Sequence, residues 1–238
     1  MALNGSKKAI KLKVKKMKKI LILTILAAQF SFAQVKKEVG DFDKVRVFDR
    51  ISVELIPANE NRIEINGSRS SEVEVVNKNG ELKIKMSLKK LLKGEEIEAK
   101  LYFKRIEIID ATEGSYVGSD TPFKQSALEV SAKEGAEVKV AVDVQNINEK
   151  AYTGGTLTLS GTAVKQNITI GAGGIVDAKN LKTAETTVSV SAGGNAKIRA
   201  TDVVDARVKA GGNVTIYGKP AQMKQKTTLG GTIEQISE

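Results

Sequence analysis

The stretch Val188-Ser-Val-Ser-Ala-Gly-Gly-Asn-Ala-Lys-Ile198 decides the fold. Ahead of Gly193-Gly194, Val188, Val190 and Ala192 alternate with Ser189 and Ser191; after it, Ala196 and Ile198 flank Lys197. Alternation of period two marks a strand with one buried and one solvated face. A glycine pair between two such segments marks a corner. The pattern recurs on both sides. Leu157 and Leu159, Val176 and Ala178, and Val214 and Ile216 follow other pairs at the same offsets, while Ile168, Ile170 and Ala172, and Ala206, Val208 and Ala210, precede them.

The corners read as Glu113-Gly114, Glu134-Gly135, Gly154-Gly155, Gly173-Gly174, Gly193-Gly194, Gly211-Gly212 and Gly230-Gly231, with second members 18 to 21 residues apart. Val117, Val138 and Val140 fall one place off the rule, as if the first two corners differ by one residue. Asn146-Ile147, Asn180-Leu181 and Val203-Val204 mark a third short strand in each unit. A repeat of about 20 residues without helical periodicity predicts an all-β fold, a right-handed single-stranded parallel β-helix. One coil is too thin to bury its own apolar row. Stacking coils at about 4.8 Å gives every inward side chain a neighbour above and below.

Before the repeats, the chain alternates in short strands: Val45–Val47, Ile51–Leu55, Ile63–Ile65, Val73–Val76, Leu82–Met86, Ile97–Phe103 and Ile106–Ile108. Asn77-Lys-Asn-Gly80 reads as a hairpin turn. Leu88 to Glu96 is charged and reads as a loop, with a short helix as the alternative. The expected organisation is a strand-rich N-terminal cap with first coils over 34–110, continuous with glycine-punctuated coils over 111–238. Thr232–Glu238 is expected as a last, charged strand that shields the open end.

The chain of 238 residues has no Cys, His or Trp. That removes disulfides, thiolate and imidazole nucleophiles, lipid anchors on cysteine, and ordinary zinc sites. Carboxylate chemistry and oxygen-ligated hard cations remain open. The net charge is +10, but residues 1–33 carry eight lysines and no acid, so the remainder is near neutral, at +2. With few aromatics as well, it offers neither a phosphate-neutralising surface nor a base-stacking platform, and nucleic acid is not an expected partner. Lys18-Lys19, the apolar run Ile20–Ala28 and Ser31-x-Ala33 form the three regions of a signal peptide, expected over 1–33 with cleavage after Ala33. Residues 1–16 are an extended n-region, or extra translation upstream of Met17. The apolar run is too short to span a membrane, and no transmembrane segment is expected in the mature chain.

Several features together resemble a family of exported bacterial proteins common in Bacteroidetes, the putative auto-transporter adhesin head GIN domain, a domain of unknown function. They are the signal peptide, Phe42–Val47 running on to Val53-Glu-Leu55, the turn Asn79-Gly-Glu-Leu82, and the repeated Val-x-Ala-Gly-Gly coils through Tyr217-Gly218. The resemblance covers 42–236. It implies a right-handed parallel β-helix exported to the envelope, in the periplasm, at the outer-membrane surface or outside the cell, and defines no catalytic residues.

Candidate sites have plain alternatives. The glycine pairs open no helix and precede no Lys-Ser/Thr, so they read as corners rather than phosphate cradles. Calcium coils would repeat Gly-Gly-x-Gly-x-Asp every nine residues, which this spacing does not do. Asp143, Asp177, Asp202 and Asp205 are the carboxylates that a β-helix lyase or hydrolase would gather, although turn acids usually bond local amides. Tyr116, Tyr152, Tyr217 and Phe123 are candidates to stack on sugar rings. Asn195 and Asn213 share a column and predict an amide ladder. Lys83, Lys85, Lys89, Lys90 and Lys93 offer charge to anionic lipid or polysaccharide, against Glu95, Glu96 and Glu98 beside them. No residue is designated catalytic, cofactor-binding or metal-ligating, and no cofactor is expected. The expected function is non-catalytic binding or structure at the envelope, with glycans or envelope proteins as partners. Association through coil ends is a further possibility. A carbohydrate-active enzyme on the same scaffold is the rival, resting on fold analogy.

Overall fold

The computed structural model describes residues 35–236, apart from 89, 90, 92, 93 and 95. The signal peptide expected over 1–33 and the side chains of Lys89, Lys90, Lys93 and Glu95 lie outside the described residues. The N-terminal strands are β1 Val35–Glu38, β2 Lys44–Val47, β3 Ser52–Pro57, β4 Arg62–Asn66, β5 Val73–Lys78, β6 Glu81–Met86, β7 Glu98–Phe103 and β8 Ile108–Ala111. Long bent strands follow, β9 Tyr116–Ala132, β10 Glu137–Tyr152, β11 Thr156–Gly171, β12 Ile175–Ser191 and β13 Asn195–Lys209. The chain ends in β14 Asn213–Tyr217, β15 Gln222–Thr228 and β16 Thr232–Ile236. From β9 onward every pairing is parallel, coil upon coil, which makes the molecule a β-solenoid.

Two apolar columns run the length of the stack. On one side Ala99, Val53, Val117, Val138, Leu157, Val176, Ala196, Val214 and Ile233 lie in register. On the other, Ile84, Val47, Ala111, Ala132, Ala151, Ile170, Val190 and Val208 do the same. All but Ile233 are buried. Such columns supply most of the stabilisation, at about 25 cal/mol per Å² of apolar surface removed from water.

The corner is a four-residue turn. In the coil after β10, Thr153 and Gly154 both have positive φ, at 50° and 74°. Gly155 N donates to Tyr152 O at 2.8 Å. Two left-handed residues closed by this bond are the type I′ pattern. The Gly155 amide is followed by a tight inter-coil approach: a Cβ there would lie 2.2 Å from Ala132 O. This corrects the alignment read from sequence. The equivalent glycines are Gly114, Gly135, Gly154, Gly173, Gly193, Gly211 and Gly230, each preceded by a left-handed non-glycine residue. The second place of the pair is Ser115 in one coil and Ala136 in the next, which is why Val117 and Val138 looked one residue displaced. Ala172, Ala192 and Ala210, expected to point inward, are the left-handed residues themselves and are exposed, because the period-two pattern ends where the turn begins. The expected third strand does not form one column either. Ile147 and Val204 share a column with Gln166 and Thr186, whereas Leu181 pairs with Gly161.

The cap differs from a simple continuation. β5 and β6 form the expected hairpin, with Asn79 and Gly80 both at positive φ. β1, β4 and β7 are antiparallel neighbours that cover the end of the stack. β2 and β3 form a coil around an early corner at Asp49 and Arg50, also of positive φ, where sequence shows no glycine. That coil lies between the level of β6 and β7 and the level of β8 and β9. The strand expected at Ile106–Ile108 is displaced to Ile108–Ala111, because Lys104–Glu107 spans the skipped level.

Candidate functional site

The four aspartates do not converge. Asp143 accepts from Thr162 Oγ1 at 3.0 Å, Asp202 from Thr201 Oγ1 at 2.7 Å, and Asp205 pairs with Arg207 at 2.7 Å. Asp177 accepts from Lys179 N at 3.3 Å and faces Lys197 Nζ at 3.6 Å. Asp177 and Asp205 belong to columns on different faces, the first between Thr158 and Lys197, the second between Thr187 and Lys224. Each is held by its own neighbours.

The aromatic candidates also have structural employment. Phe123 is buried and stacks on Phe103 with centroids 5.4 Å apart. Tyr116 lies over Gly118, where a Cβ would meet its hydroxyl at 2.7 Å. Burial, then the charges of Glu137 and Asp120, push its phenol up. The Tyr152 ring rests on Gly171, and Tyr217 carries the Arg199 guanidinium 5.7 Å from its centroid. The amide ladder is present: Asn213 Nδ2 donates to Asn195 Oδ1 at 2.9 Å. A second, Asn167 to Asn148 at 3.2 Å, was not anticipated. Lys83 and Lys85 are paired with Glu81 and Glu74. Lys44, then Lys83, hold the Glu81 carboxyl down at about 2.

The sequence reading missed a buried polar string. Glu149 occupies an inward column otherwise formed by Leu82, Val45, Ile109, Val130, Ile168, Val188 and Ala206. Gln166 Nε2 donates to Glu149 Oε1 at 2.7 Å, and Thr186 Oγ1 to Gln166 Oε1 at 2.9 Å. Thr183 and Thr186 hydroxyls are 2.7 Å apart, and Thr183 donates to Arg199 O at 2.9 Å. Glu149 Oε2 has no partner among the described residues, and burial pushes this carboxyl up to about 8 against the bond from Gln166. An acid where the period-two rule demands an apolar residue was the available signal. A second titrating group sits at the corners: burial, then the charge of Asp49, raise the Glu113 carboxyl.

An open cavity of about 670 Å³ lies where the chain skips a coil. Pro57, Phe103, Lys104, Arg105, Thr121 and Lys124 are among its walls, and among the described residues no carboxylate lines it. Opposite Lys104–Glu107, the wall of β9 bulges: Ser119 pairs with Val140 and Phe123 with Val142, leaving Asp120–Pro122 against one residue. Ser119 Oγ lies 2.9 Å from both Leu55 O and Thr121 O, and Gln125 Nε2 donates to Ile106 O at 2.9 Å. These bonds fix both rims.

No curated protein matches the chain. Among solved structures, a putative adhesin from Bacteroides fragilis superposes with a TM-score of 0.80 at 18% identity, over 87% of this chain and 98% of the other. A putative lipid binding protein from Parabacteroides distasonis gives 0.65 at 14% identity, with the same coverage of both chains. A putative adhesin from Parabacteroides merdae gives 0.61 at 17%, over 87% and 97%. These likenesses establish the fold, while the sequence profile described as putative auto-transporter adhesin, head GIN domain, matches residues 41–220 directly. Continuous columns, type I′ corners and that match lead to one conclusion: the chain belongs to the auto-transporter adhesin head GIN domain family.

Proposed function

We propose that the protein is an exported, non-catalytic binding module of the bacterial envelope, using its polar outer surface to hold glycans or envelope proteins. The observation that carries this reading is the dispersal of its aspartates. Asp143, Asp177, Asp202 and Asp205 are each engaged locally, and Asp177 and Asp205 stand on different faces. General acid–base cleavage of a glycosidic bond needs two carboxyl groups facing one scissile bond. The outer faces instead repeat Thr, Asn, Ser and Lys at the spacing of the coils, which suits several weak contacts made together. Export rests on the segment Lys18–Ala33.

A glycan array and an envelope pull-down with the mature chain test the reading. Retention of a defined glycan or envelope protein, with no depolymerisation of that glycan, is expected. Chain cleavage that is lost in Asp202→Asn or Asp205→Asn would overturn it.

A further inference from the structure

We propose that the cavity at the skipped coil is a binding site for an acidic glycan, a uronate-type sugar chain. The inference rests on the binding-module reading and assigns its ligand class and place.

The cavity originates in topology. From β9 onward the chain steps to the adjacent coil, but between β7 and β8 it crosses the level already filled by β2 and β3. The crossing segment Lys104–Glu107 cannot continue the regular wall, and the bulge Asp120–Pro122 widens the gap opposite it. Binding sites favour such interruptions of a regular scaffold, and 670 Å³ falls within the usual range of about 300–1,000 Å³ for ligand pockets.

Its chemistry is one-sided. Lys104, Arg105 and Lys124 line it, and all three are exposed. Asp41 reaches Lys104 Nζ at 3.5 Å and Glu107 pairs with Arg105, both from outside the cavity lining. Lys124 has no ion-pair partner among the described residues; Asp143, its neighbour in the column, is turned to Thr162. A carboxylate entering here would meet the unpaired Lys124 directly and would share Lys104 and Arg105 with Asp41 and Glu107. Pro57 and Pro122 give apolar patches suited to the C–H face of a pyranose ring, and the exposed Thr121 beside them offers a hydroxyl. The stacked Phe103 and Phe123 close the core beneath. A neutral glycan would forgo the charge-assisted bonds, and a fully ionic ligand would forgo the proline faces.

Calorimetric titration of the mature chain with trigalacturonate, maltotriose and anionic phosphatidylglycerol vesicles tests the assignment. Trigalacturonate is expected to bind, more weakly as salt is raised, and maltotriose is not. Lys124→Glu and Lys104→Glu should each weaken binding about tenfold or more. Lys124→Arg should retain it, as should Lys209→Glu at the far end of the stack. Exposed substitutions of this kind leave the fold intact, which an unchanged thermal midpoint verifies, and Lys124→Gln serves if reversal lowers it. No binding of trigalacturonate, or binding untouched by the Lys104 and Lys124 substitutions, overturns the site. In the second case, or with retention of another glycan on the array, the binding-module reading stands. Vesicle binding through the same lysines without trigalacturonate binding would replace the glycan by a lipid surface and equally overturn the proposal.

Discussion

At the scale of single residues, the two glycines of one corner do different physical work. Gly173 has φ +76° and open space where a Cβ would go. Gly174 would place its Cβ 2.3 Å from Ala151 O in the preceding coil. Gly173→Ala is therefore expected to cost about 1–2 kcal/mol, the strain of a left-handed L-residue. Gly174→Ala should cost about 3 kcal/mol or more, because backbone must move to admit it. Urea unfolding of the two variants checks the order. Equal losses would mean that the coils part easily enough to admit a Cβ at the second place. The repeated glycine was plain in the sequence, but its two duties were not separable there, since both are written as Gly. Only the first coils, with Ser115 and Ala136 in the second place, show that close approach can be met otherwise.

At the scale of the strands, β10, β11 and β12 are joined inside the stack by Glu149, Gln166, Thr183 and Thr186. Such a string favours one register among coils whose apolar columns would tolerate several. It also makes stability depend on pH. The Glu149 carboxyl titrates near 8 in the fold against the ordinary 4.5 of an exposed glutamate. Between those values the unfolded chain has lost a proton that the folded chain keeps, so stability falls as pH rises, on the order of 1 kcal/mol per unit, and levels off above about 8. Glu149→Gln should flatten that part of the profile and be more stable than the parent at pH 8. Denaturation at pH 5, 6.5 and 8 measures this; parallel profiles would show that Glu149 is ionised in the fold. The strand pattern of β9 to β14 was legible because period-two alternation survives wherever one face is buried. The crossing at Lys104–Glu107 was not legible, because no local pattern records which level a strand joins. The candidate site is hidden with it: Phe123 stands out in the sequence as an aromatic, but its place beside Lys104 and Lys124 depends on the skipped coil.

At the scale of the whole molecule, the two ends are finished differently. Antiparallel strands cover the first end, while β15 and β16 form a last coil that nothing among the described residues covers. Its inward positions in register with Ala206, Val208 and Ile216 are Gln225, Thr227 and Gln235. Polar residues there let the last coil face water, and Lys224 and Lys226 beside them discourage strand-to-strand addition. Substituting Leu, Val and Leu for Gln225, Thr227 and Gln235 should produce self-association, read by sedimentation as a mass that rises with protein concentration. A variant that sediments like the parent would mean that the end is protected by other means.

The most direct test of the coil stack is a distance measurement, made simple by the absence of cysteine. Lys139, Thr158, Asp177, Lys197, Thr215 and Glu234 occupy one outward column in successive coils. Spin labels on Cys placed at position 139 and, in turn, at 197, 215 and 234 should give separations that grow by about 4.8 Å per coil. Separations that do not increase with coil number would contradict the stack, and with it the arrangement of every surface described.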